Sequence, residues 1–121
     1  MTQERLSLGA WGEEVAAKFL RRKGMKIVDR NYRTPVGEID LIARQGRNLV
    51  FIEVKTRRTA AFGLPQEAVG PRKQRQIIRA AQWYLGSVRQ SGLQPRFDVV
   101  AVCAAQQGQP LIEHFPAAFE V

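Results

Sequence analysis

Two carboxylates and a lysine, Asp40, Glu53 and Lys55, fall on two adjacent segments that have the pattern of a β-hairpin. Residues 37–44 and 49–55 alternate between apolar and polar side chains with period two, which is typical of strands. A short turn between them predicts a register with Asp40 opposite Glu53. Opposed Cβ atoms lie about 5 Å apart, and carboxylates at that distance repel by about 3 kcal/mol at an effective dielectric near 20. A sheet has no structural need for such a pair.

A divalent cation between the two carboxylates would convert this repulsion into attraction. Mg²⁺ takes oxygen ligands, often one or two carboxylates together with waters and substrate phosphates. Lys55 lies on the same predicted face, where its charge could stabilise a phosphate oxygen that becomes more negative in the transition state. The alternative is a solvated polar face on which Glu38 and Lys55 form an ordinary cross-strand pair.

The same register predicts that the other face of the hairpin is wholly apolar. Six side chains are expected to share it: Ile39, Leu41, Ala43, Val50, Ile52 and Val54.

A helix before the hairpin is positioned to add a third carboxylate. Apolar residues recur at helical spacing from Ser7 to Arg22, and Gly24 predicts the end of the helix. At 100° per residue, Glu13 falls at the edge of the apolar stripe and could reach the polar face of the hairpin, whereas Glu14 should point into water. The alternative for Glu13 is a helix-start carboxylate that the macrodipole favours.

The segment after the hairpin, residues 57–70, has no clear period, as in functional or mobile loops. It begins beside the polar face, so Arg57 and Arg58 are candidates for phosphate contacts. The alternative is that both arginines are simply solvated.

A second helix is predicted from Pro71 to about Gln90. Four cations lie in its first two turns: Arg72, Lys73, Arg75 and Arg79. Because cations there oppose the helix dipole, we expect them to bind a phosphate backbone; the alternative is a solvated charged face. Trp83 and Tyr84 are expected in the core or an interface rather than as base-stacking platforms.

The remaining segments predict a mixed sheet. Residues 25–32 and 96–103 have strand patterns, and the helix between the hairpin and residues 96–103 would make those two strands parallel. A short last strand is expected from Leu111 to Phe115. It contains His114, which has no obvious partner and is expected to be structural. The order helix, three strands, helix, strand and short strand indicates an α/β fold with a mixed central sheet.

Composition narrows the function classes. The 121 residues fit one domain, 1–121. The net charge of +8 favours a polyanionic partner such as nucleic acid. No helix pairs a basic face with a Trp/Phe-rich one, so no membrane partner is expected. A polar N-terminus and one cysteine, Cys103, lead us to expect a cytoplasmic location.

Asp40 followed by Glu53-Val54-Lys55 resembles the PD-(D/E)xK signature of restriction-endonuclease-like nucleases, although Ile39 stands where the signature has proline. More closely, the chain resembles the YraN family of small bacterial predicted nucleases, which are related in fold to archaeal Holliday junction resolvases. The matching segments span most of the chain: Gly12-Glu13, 31–33, 37–43, 51–57, Phe62-Gly63 with Pro65, 67–69, Lys73 and 96–100.

This resemblance implies a restriction-endonuclease-like core and a Mg²⁺- or Mn²⁺-dependent endonuclease, with branched DNA as a candidate substrate. Asp40 and Glu53 would be metal ligands, the backbone carbonyl of Val54 a third and Glu13 an accessory ligand. Lys55 would position or activate the attacking water, or stabilise the phosphate. DNA rather than RNA is the expected partner, and a homodimer the expected assembly. The alternative function is a nucleic-acid-binding module with this fold and little or no catalysis.

Overall fold

The computed structural model describes residues 7–58, 69–88, 92–104 and 108–120. Its elements, in chain order, are α1 Leu8–Arg22, β1 Lys26–Thr34, β2 Gly37–Gln45, β3 Asn48–Arg57, α2 Pro71–Ser87, β4 Gln94–Cys103 and β5 Leu111–Phe119. The described chain is therefore a mixed α/β fold of two helices and a five-stranded sheet, in the predicted order.

The helix boundaries follow from local chemistry. Ser7 caps α1, because its hydroxyl accepts a hydrogen bond from the Ala10 N–H at 3.0 Å. Gly24 ends the helix with a φ of 90°, as predicted. Pro71 begins α2, where the missing N–H costs no helical hydrogen bond.

The sheet has the strand order β1-β2-β3-β4-β5. β1, β2 and β3 are antiparallel neighbours, β3 and β4 are parallel, and β4 and β5 are antiparallel. The prediction that α2 connects two parallel strands is confirmed. The last strand continues to Phe119, so the prediction of a short strand ending at Phe115 is wrong. Ala117 adopts a φ of 49° there and donates its N–H to Asp98, which holds the extra residues on the sheet.

The hairpin register is confirmed from its Gly46-Arg47 turn as far as Leu41 and Ile52, where the paired ladder ends. Two predicted pairs are therefore wrong: Asp40 opposite Glu53, and Glu38 opposite Lys55.

The two faces of the sheet carry separate hydrophobic cores. One core packs against α2 and contains Ile39, Ile42, Phe51, Ile77, Tyr84, Phe97 and Val99. The other packs against α1 and contains Ala16, Ala17, Leu20, Leu41, Ala43, Val50, Ile52, Val100 and Val102. Ile39 and Leu41 thus face opposite sides, and the prediction of one shared apolar face is wrong at Ile39. Regular alternation would have kept them together.

The structure also tests the predicted burial of three single side chains. Cys103 is buried on β4 as a free thiol, and Tyr84 is buried in the core. Trp83, expected in the core or an interface, is 51% exposed and lies outside the core. Within the described ranges, no helix is long and apolar enough to cross a membrane.

Candidate carboxylate site

The candidate site lies where β2 and β3 separate. The neighbouring strands β1 and β2 lose their regular alternation at that level: β1 at Asn31, which has a φ of 49°, and β2 at Asp40, between Ile39 and Leu41. Asparagine tolerates this left-handed conformation better than most side chains. Because the alternation breaks at Asp40, its side chain is turned toward β3.

The side chain of Asp40, rather than a backbone carbonyl of β2, accepts a hydrogen bond from β3. Its Oδ2 accepts a hydrogen bond from the Val54 N–H at 2.8 Å. In an extended strand, the N–H and C=O of one residue point to the same edge. The Val54 carbonyl therefore faces the side on which Asp40 lies, beyond the end of the β2–β3 ladder.

Glu53 precedes Val54 and is buried, with only 8% of its surface exposed. Burial, followed by the nearby negative charge of Asp40, raises the pKa of Glu53 to about 8. Burial also raises the pKa of Asp40, although the Val54 N–H acts in the opposite direction. The two carboxyl groups interact directly and titrate as a pair, so the pair retains a proton near neutral pH.

Glu13 reaches this pair from α1. The helix can lie close to β3 because residue 12 is glycine: a Cβ there would come closer than 3.0 Å to the Thr56 side chain. Glu13 is hydrogen-bonded to Asn31 and to Asp40. Burial, followed by the charge of Asp40, raises the pKa of Glu13. Glu13 therefore lies beside Asp40, and its part as an accessory ligand stays a prediction. Asn31 is a contact that sequence reasoning missed.

Glu14, in contrast, is half-exposed and forms an ion pair of 2.7 Å with Arg30 of β1. It lies outside the carboxylate group, as predicted, but it is paired rather than free in water.

Two lysines lie near the carboxylates. Lys73, in the first turn of α2, places its Nζ 3.8 Å from Glu53 Oε2. Lys55 is half-buried on β3, and its charge, like that of Lys73, lowers the pKa of Glu53. Lys73 is also among the residues of α2 predicted to bind phosphate, and that prediction is not tested by its contact with Glu53.

The other predicted phosphate contacts are all exposed. Arg57 and Arg58 follow Lys55 at the end of β3. Arg72, Arg75 and Arg79 lie on the outer side of α2. Residues 59–68, most of the loop predicted to flank the site, are outside the described residues.

The donors can be compared with the ligands that a cation needs. In the described part of the chain, no three His, Cys, Asp or Glu side chains have metal-site spacing. Asp40, Glu53 and the Val54 carbonyl supply oxygen atoms only, which suits Mg²⁺, and Mg²⁺ commonly uses one or two carboxylates and keeps several waters. These three oxygen donors fit Mg²⁺. Glu13 lies at the edge of the set, because it contacts Asp40.

A second buried carboxylate, Asp98 on β4, lies on the opposite face of the sheet. It accepts hydrogen bonds from Arg96 Nε and Nη2, His114 Nε2 and the Ala117 N–H, at 2.8 to 3.0 Å. Lys23 Nζ can only donate to His114 Nδ1 at 2.8 Å, so Nε2 carries the hydrogen given to Asp98. His114 is therefore structural, as predicted, and Asp98 is the partner that sequence reasoning missed.

A cavity of about 270 Å³ opens elsewhere on the molecule. The cavity is lined by Pro95, Arg96, Phe97, Ala117, Phe119 and Glu120. None of these residues belongs to the carboxylate site.

Comparison with known proteins finds one matching family. Residues 12–102 match the model of UPF0102, described as an uncharacterised protein family. A UPF0102 protein of Syntrophotalea carbinolica is 63% identical over 121 residues, covering 100% of this chain and 98% of the relative. One from Geobacter sulfurreducens is 49% identical over 94% of this chain and 89% of its own. A UPF0102 protein of Rhodococcus jostii is 51% identical over 94% of this chain and 97% of its own length.

Proposed function

This chain belongs to the uncharacterised protein family UPF0102, and we propose that it is a Mg²⁺- or Mn²⁺-dependent nuclease acting on DNA. The observation that carries the proposal is the close pair formed by half-buried Asp40 and buried Glu53. The pair shares a proton instead of ionising fully, and it lies beside a backbone carbonyl at a break in the hairpin ladder. A cation would stabilise the ionised pair, which the free protein disfavours.

The fold supports the same proposal at a coarser level. One helix, three antiparallel strands, a helix and a parallel fourth strand form the order expected for a restriction-endonuclease-like core. Asp40 lies on the second of these strands and Glu53-Val54-Lys55 on the third, which is consistent with the PD-(D/E)xK resemblance.

Each residue then has a defined part in phosphodiester hydrolysis. Asp40, Glu53 and the Val54 carbonyl would hold the cation, and Glu13 would act as an accessory ligand. When bound, such a cation polarises the phosphate and lowers the pKa of water. Lys55, half-buried on the Glu53 side of the sheet, would position the attacking water or stabilise negative charge on the phosphate.

In the free protein, Lys73 would also offset the negative charge of the carboxylates. Its ammonium group lies 3.8 Å from Glu53 and partly compensates the carboxylates before a cation arrives. The exposed arginines beside it, Arg72, Arg75 and Arg79, together with Arg57 and Arg58, would bind the nucleic-acid backbone without reading its sequence.

The second candidate function is a nucleic-acid-binding module without catalysis. The lack of a three-residue metal cluster in the described ranges favours this alternative. It would use the basic surface and leave the carboxylate pair without a chemical role. Cleavage must therefore be measured separately from binding.

The test is a cleavage panel of labelled plain duplex, single-stranded, flapped and branched DNA, with Mg²⁺ or Mn²⁺. We expect the parent protein to cut at least one substrate. Glu53→Gln and Lys55→Ala should lower turnover by a factor on the order of 10² or more, with binding retained, because both groups act mainly in the transition state.

Glu113→Gln, which changes an exposed carboxylate on β5, is the matched control and should cut like the parent. A parent protein that binds DNA but cuts nothing in the panel would contradict the nuclease proposal and favour the binding module. Equal turnover in Lys55→Ala and the parent would remove Lys55 from the mechanism.

A further inference from the structure

The outer side of α2 carries an ordered stripe of four side chains. At 100° per residue, they fall within an arc of about 80°. In chain order they are Arg72, Arg75, Arg79 and Trp83, and all four are exposed. We call this set the α2 stripe.

Folding does not explain the α2 stripe. The first turn of α2 contains no acidic residue, so the positive end of its dipole meets further positive charge. Within the described ranges, none of the three arginines forms an ion pair. Trp83 leaves 51% of its surface in water, while its neighbour Tyr84 is buried. The stripe therefore combines three exposed arginines with an exposed indole.

We propose that the α2 stripe binds a single nucleic-acid strand, with its phosphates along the arginines and an unpaired base stacked on Trp83. Arginines supply the positive track that a backbone needs, and an aromatic side chain stacks on any base. In a duplex the bases are stacked inside the helix, so an indole on a convex helix surface can reach only a base that is splayed out.

Charge selects this occupant over a second copy of the chain. The protein has a formal net charge of +8, and two copies meeting through this stripe would bring six arginines together. An anionic strand relieves that repulsion.

The position of the stripe makes the substrate class more specific, and this step rests on the proposed nuclease function. The stripe begins beside Lys73, which contacts Glu53. Trp83 lies ten residues farther along α2, at a distance of about 15 Å. This distance spans at most about four nucleotides, the number at the duplex rise of about 3.4 Å, because an unstacked strand is more extended. The unpaired base would therefore lie within a few nucleotides of the reacting phosphate, as in DNA that carries a single-stranded segment at the cleavage point.

Trp83 itself supplies the test. The chain has two tryptophans, Trp11 and Trp83, so the Trp11→Phe protein reports on Trp83 alone. Fluorescence is measured in EDTA against oligothymidylate of about twelve nucleotides, within the usual single-strand site size, and against a duplex of equal length. We expect the single strand to quench Trp83 and the duplex to leave it almost unchanged.

Affinity variants separate stacking from charge. Trp83→Ala should weaken oligothymidylate binding roughly 5- to 100-fold, the range for loss of one stacked base, and leave duplex binding unchanged. Trp83→Phe should retain most of the affinity. Arg75→Ala combined with Arg79→Ala should weaken both probes and reduce the salt dependence of log affinity by about one to two units.

Bound oligothymidylate without Trp83 quenching, or equal losses on both probes in Trp83→Ala, would overturn the stacking proposal. A Trp83 signal that depends on protein concentration without nucleic acid would overturn it in favour of a second copy. Because these measurements use EDTA, their result is independent of cleavage: quenching without any cleavage would retain the stripe and reject the nuclease.

Discussion

Two carboxylates of the described chain are buried, Glu53 on β3 and Asp98 on β4, and their surroundings differ. The two strands are parallel neighbours, but the side chains point to opposite faces of the sheet. Glu53 meets Lys73 of α2. Asp98 meets His114, whose ring packs edge-on against Phe19 of α1.

Asp98 is fully satisfied by the protein itself. Burial raises its pKa, but the hydrogen bonds from His114, Arg96 and the Ala117 N–H outweigh burial and hold the pKa below its ordinary value. Among the described residues, Glu53 has an ion pair of 3.8 Å with Lys73, the nearby charge of Lys55 and a carboxyl neighbour. Burial outweighs the two lysines, so the pKa of Glu53 is raised. A buried carboxylate with its own donors stabilises the fold, whereas one that lacks them is suited to an external cation.

The largest contrast should appear in stability without metal. Asp98→Asn removes the charge that Arg96 and His114 surround, and we expect a loss of about 3 kcal/mol in the free energy of unfolding, typical of a broken buried pair. Glu53→Gln should lose nothing or gain stability, because the amide can donate to Asp40 as the protonated carboxyl does and cannot become a second negative charge. Urea unfolding in EDTA at neutral pH measures both, and equal losses would remove the distinction between the two carboxylates.

Glu53 and Asp98 should change the stability of the fold with pH in opposite directions. Folded Glu53, with a pKa of about 8, keeps a proton that the unfolded chain releases, so unfolding frees a proton between the two pKa values. Stability without metal should therefore fall by a few kcal/mol at most from about pH 5 to about pH 8. Asp98 acts in reverse: its contribution is present above the ordinary Asp pKa and is lost as pH falls through its depressed folded pKa.

Urea unfolding across this pH series checks the prediction. Glu53→Gln should flatten the decline above pH 5 without abolishing it, because the raised pKa values of Glu13 and Asp40 act in the same direction. An unchanged decline in Glu53→Gln would show that Glu53 is not its source.

The smallest expected effect concerns Lys73. Its side chain is 41% exposed and its ion pair is long, so Lys73→Met should cost less than about 1 kcal/mol. Because the charge of Lys73 lowers the pKa of Glu53, the same change should raise that pKa further. Carbon-13 NMR titration of the Glu53 carboxyl measures the shift. Lys18→Met, an exposed site on α1, should leave the titration unchanged.

The sequence predicted the parts of the fold that depend on local pattern. Period-two alternation gave the hairpin register near its turn, and helical periodicity gave Glu13 its place at the site. The pattern failed beyond Leu41, because it assumes unbroken alternation and Asn31 and Asp40 both break it. The left-handed tendency of asparagine was the only local signal of that break.

Other contacts depended on distant pairing that no local pattern reveals. Asp98 meets His114 only because β5 pairs with β4, sixteen residues along the chain. An aspartate within an otherwise apolar strand was nevertheless a usable signal. Lys73 meets Glu53 because α2 crosses back over the sheet, so helical phase alone grouped Lys73 with the arginines.

The most direct test of the account is whether the Asp40–Glu53 pair binds a divalent cation. Without metal, Asp40→Asn should melt at the same temperature as the parent or higher. Millimolar Mn²⁺ or Mg²⁺ should raise the melting temperature of the parent and of Glu113→Gln equally, by mass action. The same metal should raise the melting temperatures of Asp40→Asn and Glu53→Gln by less. Equal metal-induced shifts in the parent and Asp40→Asn would contradict the proposed cation site.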